Sequence, residues 1–250
     1  MSAADADTSD TRLSDTRLSD SLVGPDLDDA DWHFLEYPMG DDPAWVCREP
    51  SATVSVADGA CTVEMTRFEL THPVQPIDNC KFVALSRREF EVPAAGTITV
   101  TGELSATQVG PADDYRDGFA ALVVLDPVGG LVFDIAATGA QVMAIHERLP
   151  MGPDGAFTRV VDAPLAGVET GLGAVHHCAI TLDRGAGSAR WEVDGIELHD
   201  AHRIAVPDRF VVGMGVFTLV PTGGVAGAST RGQGLRATWA NLAVTSATAA

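Results

Sequence analysis

The stretch His176–Gly195, HHCAITLDRGAGSARWEVDG, decides the fold. Apolar residues alternate with polar or small ones over residues 178–183 and again over residues 190–193, and a glycine-containing turn separates the two runs. Alternation with a period of two beside glycine turns is typical of a β-hairpin. The stretch therefore predicts two antiparallel strands, followed by a second turn at Asp194-Gly195.

The same alternation recurs in about a dozen short segments, and no segment has a helical pattern. Three consecutive segments are the most apolar: GFAALVVLD (118–126), GLVFDIAATG (130–139) and QVMAIHERL (141–149). Because the linkers between them are short, we expect these strands to be antiparallel neighbours. Many short strands separated by turn signals predict an all-β protein, a two-sheet antiparallel β-sandwich of the jelly-roll type.

Composition and charge exclude several classes of partner. The chain of 250 residues has 16 lysines and arginines against 35 aspartates and glutamates, a formal net charge of −19. Such a negative field repels phosphate backbones and anionic lipid, so we expect no nucleic-acid or membrane partner. The four cysteines have no CxxC spacing, which predicts free thiols and no structural zinc site.

The first 30 residues differ in composition from the rest of the chain. They contain a direct repeat, TRLSD at 11–15 and again at 16–20, and many Asp, Ser and Thr residues. This composition predicts a disordered acidic tail over residues 1–30, either a solvated linker or a short partner-binding segment, before one β-sandwich domain over residues 31–250. The N-terminus has no secretory signal and no apolar run is long enough to span a membrane, so we expect a cytoplasmic protein.

Three patterns give the chain a family resemblance. A strand enters Val193-Asp194-Gly195 directly after a strand led by histidine, residues 212–216 (VGMGV) form a glycine-rich penultimate strand, and residues 237–244 (ATWANLAV) form the closing strand. In this order the patterns resemble the concanavalin A-like lectin/glucanase superfamily of jelly rolls, in particular its uncharacterised bacterial members, over residues 31–246. The resemblance implies two curved sheets, with ligands held on the concave face.

In the glucanase members of that superfamily, the catalytic strand carries the motif E-x-D-x-x-E. Residues 132–137 (VFDIAA) match it best, but only the central Asp134 fits, because Val132 and Ala137 stand where the nucleophile and the acid would be. A retaining glycosidase needs two carboxyl groups about 5–5.5 Å apart. On this alignment the two carboxyl groups are missing, which disfavours a retaining glycosidase.

The most apolar strands indicate which kind of ligand the protein could bind. A strand with one solvated face alternates apolar and polar residues, but residues 118–126 and 210–220 are apolar on both faces. One face must then be covered by loops, by a second subunit or by a ligand. An apolar concave face suits a hydrophobic small molecule better than a sugar, because only 6% of the residues are aromatic and could stack on sugar rings. The predicted substrate-binding residues are Phe119, Ala121, Val132, Ala144, Phe217 and His176.

Polar residues within apolar strands are the candidates for catalysis. They are His146, Asp134, Arg148, Glu147 and Tyr115. Alternation assigns Glu147 to the opposite face from His146, and the hydroxyl of Tyr115 can donate a hydrogen bond to a ligand. We expect Met143 and Ile145 to face the core, and His146 and Arg148 to share the concave side with Asp134 of the neighbouring strand. His146 oriented by Asp134 would act as a general base, and Arg148 would bind an enolate or carboxylate. The alternative is an ordinary salt-bridge cluster at the edge of the sheet.

The chain has no P-loop, no GxSxG, no HExxH and no dinucleotide-binding glycine motif, so we expect chemistry without a cofactor. The acidic loop 111–117 (PADDYRD) offers Asp113, Asp114 and Asp117 either to calcium or to plain turns. The first hypothesis is therefore an intracellular enzyme of the cyclase, isomerase or lyase type that acts on a hydrophobic small molecule in a biosynthetic pathway. The second is a carbohydrate-binding or glycan-processing protein. The third is a non-enzymatic interaction module that uses its apolar face, for example in a homodimer.

Overall fold

A computed structural model of the protein describes residues 11–21, 27, 31–39, 42–69, 79–110, 114–150, 154–219 and 233–249. These residues contain 18 strands and three short 3-10 helices, at Ser19–Ser21, Tyr115–Asp117 and Ala163–Ala166. The strands are β1 (Thr11–Arg17), β2 (Trp32–Phe34), β3 (Glu36–Met39), β4 (Asp42–Val46), β5 (Thr53–Ala57), β6 (Ala60–Met65), β7 (Asn79–Ser86), β8 (Phe90–Glu91), β9 (Thr97–Val109), β10 (Phe119–Leu125), β11 (Leu131–Ala137), β12 (Val142–Arg148), β13 (Phe157–Asp162), β14 (Val175–Asp183), β15 (Ser188–Val193), β16 (Ile196–His202), β17 (Arg209–Thr218) and β18 (Gly234–Ala249). None of the helices among these residues is long and apolar enough to cross a membrane.

The strands form two antiparallel sheets that pack face to face. The first sheet has the order β16-β15-β14-β9-β18-β6-β5, with β1 beside β18, and the second has the order β13-β12-β11-β10-β17-β7-β2, with β8 beside β17. A separate hairpin consists of β3 and β4. This sandwich confirms the predicted fold class. It has more strands than the sequence indicates, because β13 and β16 form in segments without clear alternation.

The stretch that decides the fold forms the predicted hairpin. β14 and β15 pair from Cys178↔Val193 to Asp183↔Ser188, and buried side chains alternate with exposed or half-buried ones along both strands. The second turn is also present: Asp194 and Gly195 have φ angles of 54° and 76°. Positive φ at both central residues defines a type I′ turn, whose twist matches that of the strands it joins. The turn leads directly into β16.

Between the two sheets lies the inner core. It takes residues from both sheets, and its largest fully buried side chains include Trp32, Trp191 and Trp239. The indole Nε1 of Trp239 on β18 donates a hydrogen bond of 2.9 Å to the carbonyl oxygen of Ala121 on β10. The two sheets are therefore joined by a buried hydrogen bond as well as by apolar packing.

The second sheet is buried on its other side as well. Every residue of β10 and β11 is buried, as the sequence predicts for strands that are apolar on both faces. Alternate residues face the inner core, and the others form an outer-face cluster. This cluster consists of Cys47, Cys80, Val83, Leu85, Phe119, Ala121, Val123, Leu125, Val132, Ala136, Met143, Ile145 and Val211. Apolar side chains therefore fill most of the face that was expected to bind a ligand, while Tyr115, Glu147 and Phe217 on this face are half-buried.

The amino-terminal segment differs from the predicted disordered tail over residues 11–21. β1 pairs with β18 from Thr11↔Ala249 to Arg17↔Ala243, and Leu18 is buried in the inner core. The reason is the length of β18: its first part pairs with β6, and its last residues leave a strand edge that β1 completes. Composition alone does not reveal such an edge. Residues 1–10 lie outside the described residues.

We expect the substitution Trp239→Phe to lower the free energy of unfolding by about 1–3 kcal/mol, because the buried Ala121 carbonyl loses a donor. Urea-induced unfolding measures the change. The control is Val128→Ala, since Val128 is 85% exposed, and its effect should stay within about 0.5 kcal/mol. Equal stability of Trp239→Phe and the wild-type protein would show that the bond between the sheets contributes nothing.

Candidate functional site

The central strands of the second sheet bring two carboxylates onto the outer face. In the pairing of β11 with β12, Asp134 lies opposite Ile145, and Val132 lies opposite Glu147. Residues directly opposite in an antiparallel pair point to the same face, and so do residues two apart along one strand. Asp134 and Glu147 therefore share the outer face at diagonal positions of adjacent strands. Diagonal neighbours of this kind are about 7–8 Å apart.

The two carboxylates have different surroundings. Asp134 is buried among the apolar side chains of the outer-face cluster, and its Oδ1 accepts a hydrogen bond of 3.3 Å from the backbone N–H of Val124. Glu147 is half-buried, and its Oε2 accepts a hydrogen bond of 3.1 Å from the hydroxyl of Thr158 on the edge strand β13. Solvent can thus reach Glu147 more readily than Asp134.

Aromatic side chains lie toward the other end of the same face. Phe119 and Phe217 stack with their ring centroids 5.4 Å apart, and Tyr115 packs against the outer-face cluster beside them. Phe119 belongs to this cluster, and so do the predicted substrate-binding residues Ala121 and Val132. Five predicted residues of the outer face are therefore brought onto one surface with Asp134 and Glu147.

The predicted pairing of His146 with Asp134 is wrong. His146 lies opposite Phe133 and points into the sandwich, on the other side of the sheet from Asp134, while Met143 and Ile145 face outward. The imidazole stacks on Phe133, with centroids 5.0 Å apart, and meets the edge of Phe157 at 4.9 Å. The prediction failed because β12 is apolar on both faces, so alternation does not reveal which face is the core.

Burial sets the protonation of His146. Its pKa is lowered to about 4 by burial and by the positive charges of Arg159, His199 and Arg148. Within the described part of the chain, neither ring nitrogen of His146 has a hydrogen-bond partner. The imidazole therefore stays neutral at pH 7 and behaves as a member of the aromatic core.

The remaining predicted residues lie apart from the carboxylate pair. Ala144 faces the inner core, and Arg148 forms an ion pair with Asp154, with 2.7 Å between Nη1 and Oδ2. His176 is buried on β14 of the first sheet and therefore does not contribute to the outer face of the second.

The acidic loop around residue 115 is engaged in contacts within the protein. Asp114 forms an ion pair with Arg116, and buried Asp117 accepts a hydrogen bond of 3.4 Å from Gln233. Asp113 lies outside the described residues. No group of three or more potential metal-ligating side chains occurs in the part of the chain that the structure describes.

A buried charged pair was not predicted from the sequence. Lys81 and Glu49 are both almost fully buried, and the backbone N–H of Glu49 donates a hydrogen bond of 2.8 Å to the carbonyl oxygen of Lys81. Burial lowers the pKa of Lys81 to about 8, and the negative charge of Glu49 opposes this shift. The signal was a single lysine in the otherwise apolar run of β7.

The four cysteines and one surface groove lie apart from the carboxylate pair. Cys47, Cys61, Cys80 and Cys178 are free and buried, as predicted. A groove of about 360 Å³ lies on the outer face of the first sheet. Its polar lining includes Glu103, His177, Glu192 and Asn241.

Comparison with known proteins identifies a family and a fold. The model of a family of unknown function, DUF6081, matches residues 29–248. No curated protein is significantly similar in sequence. Among solved structures, an endo-1,3-β-glucanase from Streptomyces sioyaensis superposes with a TM-score of 0.57 at 16% identity, covering 98% of this chain and 99% of the glucanase.

Two further structures have the same fold at lower identity. A family 7 alginate lyase in complex with its substrate gives a TM-score of 0.52 at 11% identity, over 81% of this chain and 84% of the lyase. LamAcat from Zobellia galactanivorans gives 0.52 at 10% identity, over 86% of this chain and 90% of its own. At these identities the similarity shows the fold alone, and this fold is the jelly-roll sandwich that the resemblance implies.

These findings correct the expected function. The prediction of an enzyme for a hydrophobic small molecule, of the cyclase or isomerase type, is wrong. The neighbours in fold are a glucanase and an alginate lyase, which act on polysaccharides rather than on hydrophobic small molecules.

The pKa of His146 predicts how stability depends on pH. As the pH falls below 6.5, the ordinary pKa of histidine, the unfolded chain binds a proton that buried His146 does not bind. This difference in proton binding lowers the free energy of unfolding. We expect stability to fall as the pH decreases from about 6.5 to about 4, and less steeply in His146→Phe, which keeps the aromatic packing. Denaturant unfolding at several pH values measures this. The control His202→Gln changes an exposed histidine and should follow the wild type; equal slopes for all three proteins would contradict the assignment.

Proposed function

The chain belongs to DUF6081, a family of unknown function, and we propose that it binds a polysaccharide at the half-buried residues of the outer face of the second sheet, Tyr115, Glu147 and Phe217, and cleaves it with Asp134 and Glu147. The observation that carries the proposal is the pair of carboxylates on one face of β11 and β12. Cleavage of a glycosidic bond commonly uses two carboxyl groups, about 5–5.5 Å apart in retaining enzymes and about 6.5–9.5 Å apart in inverting ones. Diagonal positions on neighbouring strands, about 7–8 Å apart at the backbone, allow either separation.

The pair also accounts for the incomplete motif on β11. Asp134 is the one residue of that strand that fits the glucanase pattern, and Val132 stands where the first glutamate would be. Glu147 lies directly opposite Val132 on β12, so it brings a carboxylate to the same part of the face from the neighbouring strand. We infer that the cross-strand glutamate takes the place of the missing one.

The two carboxylates would act in sequence from different environments. Glu147, half-buried and held by Thr158, is the group that meets the sugar and water first. Asp134 lies deeper, fixed by the backbone N–H of Val124, and would act on the opposite side of the bond being cleaved. General acid and base catalysis by a positioned pair contributes about 100-fold to 10,000-fold to the rate.

The form of the face favours a long substrate. Val123 lies opposite Asp134, and Phe119 precedes Val123 by four residues on β10. Phe119 is therefore about 14 Å along the strand from the position of Asp134. The aromatic side chains of Tyr115 and Phe217 lie at that end, and aromatic rings with an apolar face and a polar edge suit sugar rings. A chain of several sugars would contact both the aromatic end and the carboxylates.

Charge favours a neutral polysaccharide. The fold is shared with an endo-1,3-β-glucanase and with an alginate lyase, and alginate is a polyanion. A protein with a formal net charge of −19 repels a polyanion at a distance. We therefore propose a neutral β-glucan as the substrate rather than alginate.

The experiment compares wild-type protein with Glu147→Gln and Asp134→Asn on a soluble 1,3-β-glucan and on alginate. We expect new reducing ends from the glucan only, and a loss of at least about 100-fold in either variant. The matched control is Glu64→Gln, a half-buried glutamate on β6 of the first sheet, which should cleave at the wild-type rate. Thermal unfolding checks that each variant is folded.

Three outcomes separate the parts of the proposal. Glucan binding without cleavage would identify a carbohydrate-binding protein and would refute the catalytic roles of Asp134 and Glu147. Unsaturated products from alginate would contradict the charge argument and indicate elimination. No binding of either polymer would overturn the proposed function.

A further inference from the structure

A chain of hydrogen bonds on the first sheet links a hydroxyl, an imidazole and a carboxylate. The hydroxyl Oγ1 of Thr170 lies 2.7 Å from Nε2 of His176, and Nδ1 of the same histidine lies 2.8 Å from Oδ2 of Asp194. A nucleophile and a base within hydrogen-bond reach, with the base oriented by a third group, is the arrangement that activates a hydroxyl for covalent catalysis.

The turn between β15 and β16 fixes the carboxylate. Asp194 occupies the first central position of the type I′ turn, and its backbone N–H donates to the carbonyl oxygen of His177 at 2.8 Å. Its Oδ1 accepts a hydrogen bond of 2.8 Å from the backbone N–H of His177, which leaves Oδ2 for His176. The backbone of Asp194 and its carboxylate are thus each held by one hydrogen bond to His177 on the neighbouring strand.

This geometry decides which nitrogen of His176 carries the proton. A carboxylate accepts hydrogen bonds, so Nδ1 of the neutral imidazole donates to Asp194, and Nε2 accepts the proton of the Thr170 hydroxyl. His176 is 2% exposed, and both of its nitrogens are engaged, so the ring is oriented before any substrate arrives. Thr170 itself is half-buried, so the residue keeps some contact with solvent.

The residues after Thr170 leave room for a substrate. A Cβ added to Gly171 would meet nothing within 4 Å, and Leu172 is 71% exposed. In the described part of the chain, the backbone N–H groups of Gly171 and Leu172 donate to no other residue. Two such donors directly after a nucleophile can stabilise the negative oxygen that forms when the nucleophile attacks a carbonyl group.

We propose that Thr170, His176 and Asp194 form a second catalytic site, in which Thr170 hydrolyses carboxylic esters. The Thr170 oxygen attacks the ester carbonyl carbon while Nε2 of His176 takes the hydroxyl proton. The bond from the carbonyl carbon to the alcohol oxygen breaks, and the alcohol leaves with that proton. Water then attacks the acyl-threonine, which releases the carboxylic acid and restores the hydroxyl. Thr170 and His176 are catalytic residues, and Asp194 is a positioning residue.

The surroundings select the acyl group. Leu172 and Val175, which are 71% and 57% exposed, present apolar surface close to Thr170 in the chain. A short acyl group such as acetyl fits this surface. The site lies on the first sheet, so it does not rest on the carboxylate pair of the second sheet.

The test uses p-nitrophenyl acetate and the full-length protein. We expect nitrophenolate release above the buffer rate. Acid quenching followed by mass spectrometry should find one acetyl group on the peptide that contains Thr170. Thr170→Ala should lose the activity at least about 100-fold, and Thr170→Ser should retain it. Asp194→Asn should reduce the rate and alter its pH profile, because the asparagine no longer fixes the histidine tautomer.

Two controls separate catalysis from surface reactivity. His202→Ala removes an exposed histidine of β16 that forms an ion pair with Asp200, and Thr181→Ala removes a threonine of β14 that bonds to Thr99. Both should hydrolyse the ester at the wild-type rate. Hydrolysis no faster than in buffer, an acetyl group on another residue, or full activity in Thr170→Ala would each overturn the proposal.

Discussion

Apolar side chains on both faces of the second sheet have to be kept from water, and the rest of the structure satisfies this requirement. One face of β10 and β11 packs against the first sheet, and the other forms the outer-face cluster. Burial of a sheet on both sides leaves few positions for polar groups. Each polar residue on these strands therefore needs either a hydrogen-bond partner or a neutral form.

Asp134 and His146 meet this requirement in opposite ways. Asp134 stays on the outer face, where a backbone N–H holds it and Glu147 is its diagonal neighbour on β12. His146 lies on the inner face, where the aromatic rings around it favour the neutral imidazole. Both the proposed glycan site and the burial of His146 depend on which face of β12 points toward the inner core. The Thr170 site is independent, because a tight turn of the first sheet holds it.

Local pattern predicted much of the fold, including the hairpin of β14 and β15, the Asp194-Gly195 turn and the two apolar faces of β10. It predicted the candidate site less well, because Asp134 and Glu147 were named as candidates, but His146 was assigned to the face of Asp134 and Glu147 to the opposite face, the reverse of what the register shows. Alternation tells which residues share a face only within one strand, and the register between strands comes from tertiary packing. The same limit applies to Asp194, whose role depends on a turn that folds back over His176, and to residues 11–17, which pair with a strand more than 200 residues away.

The most direct test of the central claim is a crystal structure of the Glu147→Gln protein with a 1,3-β-glucan oligosaccharide. We expect sugar density over the outer face of the second sheet, with a glycosidic oxygen or anomeric carbon next to Asp134 and further sugars running toward Phe217. Sugar bound instead in the groove of the first sheet, beside Glu103 and His177, would contradict this claim.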